Sequence, residues 1–230
     1  MKDSKKEFIN PLFTVDSVLF TVVGNQLKVL LVKRAIEPFN GRWALPGGFV
    51  DVEQDDNTDM TAQRKLYEKT GITPKYLEQL KVFSGLNRDP RGFSVTLTYF
   101  ALVAYEDTEP HINTVEEATW TEINELRNLP LAFDHREIIE AAFQRLQQKA
   151  LYSMVPVYCC AEKFTVGQLK SVIEVIINKP LQRKSLMRRI EASGMFKEVD
   201  QKVQSGGRLA QLYSLKPDVD VVHFERNLGA

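Results

Sequence analysis

The chain has 230 residues, of which 43% are hydrophobic and 26% charged. This composition is typical of a folded globular protein and excludes an intrinsically disordered one. Thirty basic residues balance thirty acidic residues, so the net charge indicates nothing about a nucleic-acid partner. The charge is unevenly distributed, however, because residues 154–230 contain twelve Lys and Arg against eight Asp and Glu. This excess of positive charge towards the end of the chain suggests different partners for its two parts.

The cysteines and the lengths of the apolar segments bear on the cellular compartment of the protein. Cys159 and Cys160 are adjacent, which gives neither a metal-ligand spacing nor a disulfide framework and is typical of a reducing compartment. Residues 1–7 are polar and lack the apolar core of a signal peptide. The sequence contains no apolar run of about 18 residues, the length that a membrane span needs. We therefore expect a cytoplasmic protein.

The first 130 residues alternate strand-like and helical patterns. Gly24-Asn25 is a hairpin turn signal, and residues Thr58–Thr70 predict a helix that Gly71 ends. A short helix is predicted at Glu122–Arg127. The predicted strands are Phe13–Val23, Leu27–Val32, Leu80–Gly85, Phe93–Ala104 and Ala118–Thr121. Strands with interspersed helices predict an α/β or α+β domain.

Helical patterns dominate the following residues. Asp134 can cap an amphipathic helix at His135–Ala150, and Thr165 can cap another at Val166–Ile177. A third helix, Gln182–Ser193, is basic. Two strand-like runs around Ser205-Gly206-Gly207 predict a hairpin, Phe196–Val203 with Leu209–Leu215. Helix, turn, basic helix and hairpin give the outline of a winged helix-turn-helix.

Two segments around the first predicted helix carry a known motif. Trp43–Val50 followed by Arg64–Ile72 resembles the Nudix box, G-x5-E-x7-R-E-U-x-E-E-x-G-U, in which U is apolar. The resemblance covers about the first 130 residues and implies a Nudix-like α/β/α sandwich with a mixed sheet. In that family the box binds Mg²⁺ and supports attack of water on a diphosphate linked to a nucleoside.

The positions that should hold the metal are altered. Carboxylates at the first, fourth and fifth positions of E-U-x-E-E share one helix face, and here these positions are Lys65, Glu68 and Lys69. Two ammonium groups in place of carboxylates repel a divalent cation. Gln54 stands where the loop glutamate belongs, and Arg64 comes two residues late. We therefore expect no catalytic residues, no metal site and no enzyme activity.

An alternative remains open at the loop before this helix. Its acidic residues are Asp51, Glu53, Asp55, Asp56 and Asp59. They could hold a relocated metal, which would make the chain an atypical Nudix hydrolase of ADP-ribose or related nucleoside diphosphates. They are equally consistent with solvated loop residues. Release of AMP from ADP-ribose in the presence of Mg²⁺ would favour the hydrolase.

An inactive Nudix fold can still bind its former ligand, because the shape of the pocket does not depend on the metal. Lys65 or Lys69 could pair with a diphosphate, arginine can hold phosphate bidentately, and an aromatic ring can stack on adenine. The candidate effector-binding residues are Arg42, Trp43, Lys65, Glu68, Arg88, Asp89, Arg91 and Phe93. Trp43 and Phe93 could equally be core residues, and Arg88 and Arg91 could be ordinary surface residues.

The basic helix combines an apolar seam with groups that suit DNA. Leu186 and Ile190, four residues apart, predict its buried side. Arginine reads base edges and lysine meets phosphate in a major groove. The candidate DNA-binding residues are Gln182, Arg183, Lys184, Ser185, Arg188, Arg189, Lys202, Gln204 and Arg208. The alternative is an RNA-binding or protein-binding module, which steeply salt-dependent, sequence-selective duplex binding would exclude.

The order of the two domains is similar to that of NrtR-type Nudix-related transcriptional regulators. Phe164–Leu169, Arg188–Ile190 and Gly207–Tyr213 resemble the C-terminal part of that family, so the resemblance covers nearly the whole chain. We expect an α+β protein with an effector-sensing domain at 1–132, a linking helix at 133–153 and a winged helix-turn-helix at 154–230. The resemblance implies a homodimeric repressor of NAD-metabolism genes that binds a palindromic operator. ADP-ribose would be the releasing effector, with no required cofactor.

Overall fold

The computed structural model describes residues 10–105, 114–205 and 207–224. The polar segment at residues 1–7 and Gly206 of the predicted hairpin turn lie outside these ranges. The strands are β1 (Leu12–Val23), β2 (Gln26–Arg34), β3 (Trp43–Ala44), β4 (Gly47–Phe49), β5 (Tyr76–Gly85), β6 (Ser94–Leu102), β7 (Val115–Glu122), β8 (Phe164–Thr165), β9 (Phe196–Ser205) and β10 (Arg208–Leu215). The helices are α1 (Thr58–Thr70), α2 (His135–Tyr152), α3 (Val166–Ile177) and α4 (Arg183–Ser193), with 3-10 turns at Ile123–Asn128 and Val155–Cys159.

A mixed sheet forms the first part of the chain. Strand β1 pairs parallel with β6 and antiparallel with β2 and β4, while β5 extends the sheet beyond β6 and β7 pairs with β2. Side chains alternate across β1: Val18 and Phe20 pack in the cluster that includes α2, whereas Leu19 packs with Leu66 of α1. A helix therefore covers each face of the sheet, and the predicted α/β/α sandwich is confirmed.

Helix α1 begins and ends where its sequence signals predict. The Asn57 side chain accepts a hydrogen bond from the Met60 backbone N–H at 3.0 Å, which caps an otherwise unpaired donor. Gly71 ends the helix with φ 73°, a left-handed conformation that glycine adopts without strain. Ala62 and Leu66 are buried against the sheet. This packing turns Lys65, Glu68 and Lys69 away from the core.

Several element bounds differ from the predictions. Strand β5 begins at Tyr76 rather than Leu80, β7 begins at Val115 rather than Ala118, and the short helix after β7 is a 3-10 turn at Ile123–Asn128. Strands β3 and β4 were not predicted. They have two and three residues, too few for an alternating pattern to be recognised.

Asp134 stands at the N-cap of α2, but its side chain does not cap the helix. The carboxylate instead accepts hydrogen bonds from Arg88 Nε at 2.9 Å and Arg88 Nη2 at 2.8 Å. A bidentate, charge-assisted pair is stronger than a bond to a backbone N–H. The predicted capping role of Asp134 is therefore wrong, and the residue joins α2 to the loop that carries Arg88.

Helix α2 belongs to the same packed core as the winged helix. Ile138, Ala142 and Leu146 are buried in one cluster with Val172 and Ile176 of α3. The segment predicted as a linking helix thus covers one face of the mixed sheet and contacts the following domain. None of the described helices has the length and apolarity that a membrane crossing requires.

The last part of the chain has the predicted winged-helix outline. Thr165 and Gln168 form a reciprocal capping box at the start of α3. Leu186 and Ile190 of α4 pack against Leu169 and Ile173 of α3. A three-stranded sheet of order β8-β10-β9 completes the domain. The seam that the spacing of Leu186 and Ile190 predicted is confirmed.

Candidate functional site

A cavity of about 260 Å³ lies where the ends of β1, β2, β4 and α1 meet the start of α2. Basic side chains outnumber acidic ones along its walls, which favours an anionic ligand. The basic lining residues are Arg34, Lys65, Lys69, Arg88 and Arg91, and the acidic ones are Asp16 and Asp89. Phe49 and Phe133 supply aromatic surface.

Two glycines allow the wall of the cavity to form. A Cβ atom at Gly47 would lie 2.1 Å from Asp16 Oδ1 and 2.5 Å from the Val15 carbonyl oxygen, so only glycine permits β4 to pair with β1 here. A Cβ atom at Gly48 would lie 3.3 Å from two side-chain carbons of Lys65. The Gly47-Gly48 segment therefore packs closely against β1 and against the Lys65 side chain of α1.

Glu68 is the one carboxylate at the three metal positions of α1, which we call the box helix, and it is already paired with cations. Glu68 accepts hydrogen bonds from Arg64 Nη1 at 2.9 Å and from Lys65 Nζ at 3.1 Å. Burial favours the neutral acid, but the bonds from Arg64 and Lys65 outweigh it and hold the pKa of Glu68 below its usual range. Glu68 therefore balances charge within the helix.

Lys69 is a partly buried cation of this wall, as are Arg34, Lys65 and Arg88. Burial lowers the pKa of its ammonium group to about 8, although the negative charge of Asp16 opposes this shift. The charges of Arg34 and Lys65 lower the pKa further. An anion placed in the cavity would relieve this repulsion.

Asp55, one of the loop acids, holds the loop against α1. The Asp55 carboxylate accepts hydrogen bonds from Arg64 Nε at 2.7 Å, Thr61 Oγ1 at 2.8 Å and the Asp51 backbone N–H at 3.2 Å. The bonds from Arg64 hold the pKa of Asp55 well below its usual range. Asp51 in turn accepts a bond from the Glu53 backbone N–H at 3.1 Å. Across the described part of the chain, no three Asp, Glu, His or Cys side chains are grouped as a metal site would need.

His135, the first residue of α2, is a neutral member of the wall. Its Nδ1 accepts a hydrogen bond from the Leu45 backbone N–H at 2.8 Å, so the ring proton sits on Nε2, 3.8 Å from Asp16 Oδ1. Complete burial lowers the pKa of His135 despite the nearby Asp16 charge. The start of α2 is thereby hydrogen-bonded to Leu45, which precedes β4, and lies close to β1.

The structure brings four of the predicted effector residues into the cavity wall and places a fifth beside it. Lys65, Arg88, Asp89 and Arg91 line the cavity, and Glu68 is paired with Lys65. Two of the arginines have internal partners. Arg88 is paired with Asp134 and donates to Ser94 Oγ at 3.1 Å, while Arg91 pairs with Asp89 at 2.7 Å.

Three predicted effector residues lie outside the described cavity wall. Arg42 is exposed and lies 5.3 Å from the Phe39 ring centroid. Trp43 belongs to β3 and packs against the core, because its strand pairs with β2. Phe93 precedes β6 and is 45% exposed. Their roles in effector binding stay predictions, because none of the three lines the described cavity.

Sequence reasoning missed several lining residues. Arg34, Asp16, Phe133 and His135 come from the end of β2, from β1 and from the start of α2. They carry no shared motif, because they meet only after the sheet and α2 have packed. The available signals were the charge of Arg34 at the end of one apolar strand and that of Asp16 within another.

The exposed side of α4 carries most of the predicted DNA-binding groups. Gln182, Arg183, Lys184, Ser185 and Arg188 are all exposed, while the opposite side of the helix is buried in the winged-helix core. A helix with one buried seam and one basic face can present several donors to a groove.

Arg189 differs from its neighbours. Its guanidinium donates to the backbone carbonyls of Ala150, at 3.4 Å, and of Leu151, and it lies 5.4 Å from the Phe224 ring centroid. Burial lowers its pKa. The DNA contact of Arg189 stays a prediction, and in this structure these carbonyls engage its side chain.

The hairpin of β9 and β10 separates the predicted wing residues. Arg208 pairs with Ser205, and Gln204 pairs with Leu209. Cross-strand partners share a face and alternate residues change face, so Lys202 and Gln204 lie on one face and Arg208 on the other. All three are exposed.

Comparison with known proteins agrees with both parts of this geometry. Residues 13–142 match the NUDIX domain family, and residues 156–215 match the NrtR DNA-binding winged helix domain. The fold and the cavity thus define a class, Nudix-fold proteins that carry a winged helix.

The relatives narrow this class. The chain is 42% identical over 209 residues to the ADPR responsive transcriptional repressor NtrR of Acinetobacter baylyi, which covers 91% of this chain and 84% of that protein. The crystal structure of Shewanella oneidensis NrtR complexed with a 27mer DNA has a TM-score of 0.87 and 46% identity, and covers 95% of this chain and 100% of that chain. The NUDIX domain of the same protein complexed with ADP ribose gives a TM-score of 0.59 with 46% identity, and covers 62% and 93% of the two chains. The chain belongs to the NrtR family of Nudix-related transcriptional regulators.

Proposed function

We propose that this chain is a cytoplasmic transcriptional repressor of NAD-metabolism genes that ADP-ribose releases from its operator. The sensing domain would occupy residues 1–132, α2 would link the domains, and residues 154–230 would bind duplex DNA. A homodimer would bind a palindromic operator. The similarity to a repressor described as ADPR responsive, and to relatives crystallised with DNA and with ADP ribose, supports this assignment.

One observation carries the proposal. The box helix has ammonium groups at two of its three metal positions, and the carboxylate at the third is paired with Arg64 and Lys65. A cavity that repels Mg²⁺ attracts the diphosphate of a nucleotide instead. Binding without metal-assisted hydrolysis is the behaviour that a sensor needs, because the signal persists while the ligand is present.

Release requires that the effector distinguish two states of the protein. ADP-ribose must bind the DNA-free state more tightly than the DNA-bound state, since a ligand with equal affinities shifts nothing. Two winged helices that read half-sites about 34–36 Å apart depend on fixed spacing. A small reorientation of each domain would therefore weaken operator binding.

The test is a mobility-shift titration with DNA from upstream of candidate target genes. We expect sequence-selective binding that ADP-ribose reverses, while AMP and ribose 5-phosphate added separately at the same concentrations do not reverse it. Complexes that persist at saturating ADP-ribose would contradict the proposal.

The alternative hydrolase function is tested by incubating the protein with ADP-ribose and Mg²⁺ and measuring AMP. Asp55, the loop acid with the most contacts, is held by Arg64 and Thr61, which leaves it few free lone pairs for a metal. We expect no AMP from ADP-ribose and Mg²⁺, even over a time many times longer than the half-life of the protein–ADP-ribose complex. Multiple turnovers of AMP per chain would replace the sensor with an enzyme.

A further inference from the structure

Helix α2 has one end at the effector cavity and the other at the DNA-binding helix. His135 and the preceding Phe133 line the cavity, and Arg88 of the cavity wall pairs with Asp134. The helix has 18 residues, about 27 Å at 1.5 Å per residue. At its far end α2 meets Arg189 of α4.

The last four carbonyls of α2 are satisfied in an unusual way. A helix leaves these four groups without partners of its own. The Lys149 carbonyl accepts from the Ser153 backbone N–H at 2.9 Å and from Ser153 Oγ at 2.7 Å. The other three accept from the winged-helix part of the chain: Ala150 and Leu151 from Arg189, and Tyr152 from the Phe224 backbone N–H at 2.6 Å.

The charge of Arg189 suits this position. The carbonyl end of a helix carries partial negative charge, and a cation there is favourable. The guanidinium is half-buried between this end and the Phe224 ring. Ala150 is buried, whereas Leu151 is exposed. Displacement of α4 from α2 would therefore leave the Ala150 carbonyl without its partner, which has a free-energy cost.

We propose that Arg189 is a positioning residue for DNA binding, which sets the orientation of α4 by capping the carbonyl end of α2, and that effector release of DNA is transmitted through this contact. The inference rests on the proposed function and adds to it the residue that joins the sensing cavity to the reading helix. It also gives different roles to the two adjacent arginines of α4. Arg188 is exposed and available to DNA, whereas Arg189 is bonded to the carbonyl end of α2.

The test compares Arg189→Gln with the matched neighbour Arg188→Gln in the full-length protein. Operator affinity is measured against salt concentration, with and without ADP-ribose. A lost phosphate contact lowers the slope of log affinity against log salt by about 1. We expect Arg188→Gln to show this lowered slope and to keep the wild-type fold-change on ADP-ribose addition. Arg189→Gln should keep the wild-type slope, and the fold-change in its operator affinity on ADP-ribose addition should be at least about fivefold smaller than in the wild type.

Two further variants guard against a folding artefact. Arg189→Lys, which keeps a cation near the carbonyls, should restore part of the response. Phe224→Ala changes no charge, so it should weaken the response with an unchanged salt slope. Unaltered ADP-ribose affinity in the absence of DNA would verify that each variant is folded.

The opposite pattern overturns the inference. If Arg189→Gln lowers the salt slope as Arg188→Gln does and keeps the full response to ADP-ribose, Arg189 is an ordinary DNA contact. If the wild-type protein itself shows no response, the proposed function fails first, and the role of Arg189 fails with it.

Discussion

Two lysines of α1 contribute positive charge to the wall of the effector cavity. Lys65 and Lys69 stand where the resemblance to the Nudix box requires carboxylates, and Arg64 keeps its place by pairing with Asp55. The helix thus keeps its structure, while the three metal positions carry a net positive charge instead of the negative charge of the motif. Nucleotide binding and metal chemistry are separable because the first depends on shape and donors and the second on a few carboxylates.

Lys69→Met should weaken ADP-ribose binding by at least about tenfold at pH 7, the effect of losing one charge-assisted contact. Lys75→Met removes the same charge from an exposed position outside the cavity and should leave the affinity unchanged. Isothermal titration calorimetry measures both. Equal affinities for the two variants would exclude Lys69 from the ligand contacts.

The pH dependence of binding should also depend on Lys69. Its pKa in the free protein is about 8, and a bound diphosphate raises it, so binding takes up a proton above that pH. Affinity should be flat below pH 7 and fall by up to about tenfold per pH unit above pH 8. In Lys69→Met this decline should disappear; its persistence would assign the proton to another group.

Some residue roles were predictable from the sequence and others were not. Lys65 and Lys69 were identified because a motif fixes their positions. The fates of Asp134 and Arg189 were not predictable, since each is bound by a group from a distant part of the chain. The sequence shows that Asp134 can accept hydrogen bonds and that Arg189 can donate them. Which group each of them bonds depends on the fold.

At the scale of elements, α4 and the hairpin present their predicted DNA-binding residues differently. The helix presents one continuous basic face, whereas Lys202 and Arg208 project from opposite faces of the hairpin. Elements with strong signals, such as α1 and α3 with their caps, were predicted almost to the residue. Strands β3 and β4 were missed because pairing with β2 and β1 creates them.

Lys184→Ala should weaken operator and non-specific DNA binding to a similar extent. Lys184 is exposed on α4, and a lysine that meets phosphate carries no sequence information. We expect the slope of log affinity against log salt to fall by about 1. Lys81→Ala, which removes an exposed lysine from β5 of the sensing sheet, is the control and should change neither quantity. A Lys184→Ala protein with the wild-type slope would remove this residue from the interface.

At the scale of the whole molecule, a shared core joins the sensing and DNA-binding parts. One cluster contains side chains of the sheet, of α2 and of α3, so the two parts are in direct apolar contact. Sequence reasoning predicted the two domains but treated α2 as a linker. Its apolar positions fit a buried helix equally well, and the pattern does not say which neighbours bury it.

The proposed homodimer makes operator spacing a sharp test. Sedimentation should give twice the mass of one chain, and half-sites one helical turn apart should bind cooperatively. Insertion of about 5 base pairs between the half-sites turns one of them to the opposite side of the duplex, so affinity should fall towards that of a single half-site. Unchanged affinity would contradict binding as a symmetric dimer.

Reciprocal linkage between DNA and ADP-ribose tests the central claim most directly. The dissociation constant of ADP-ribose is measured with the free protein and with the protein–operator complex in the presence of Mg²⁺, and the nucleotide is recovered and identified afterwards. The account predicts that operator DNA weakens ADP-ribose binding by the same factor by which ADP-ribose weakens DNA binding, and that the recovered nucleotide is intact. Equal ADP-ribose affinities in the two states, or AMP as the recovered species, would contradict it.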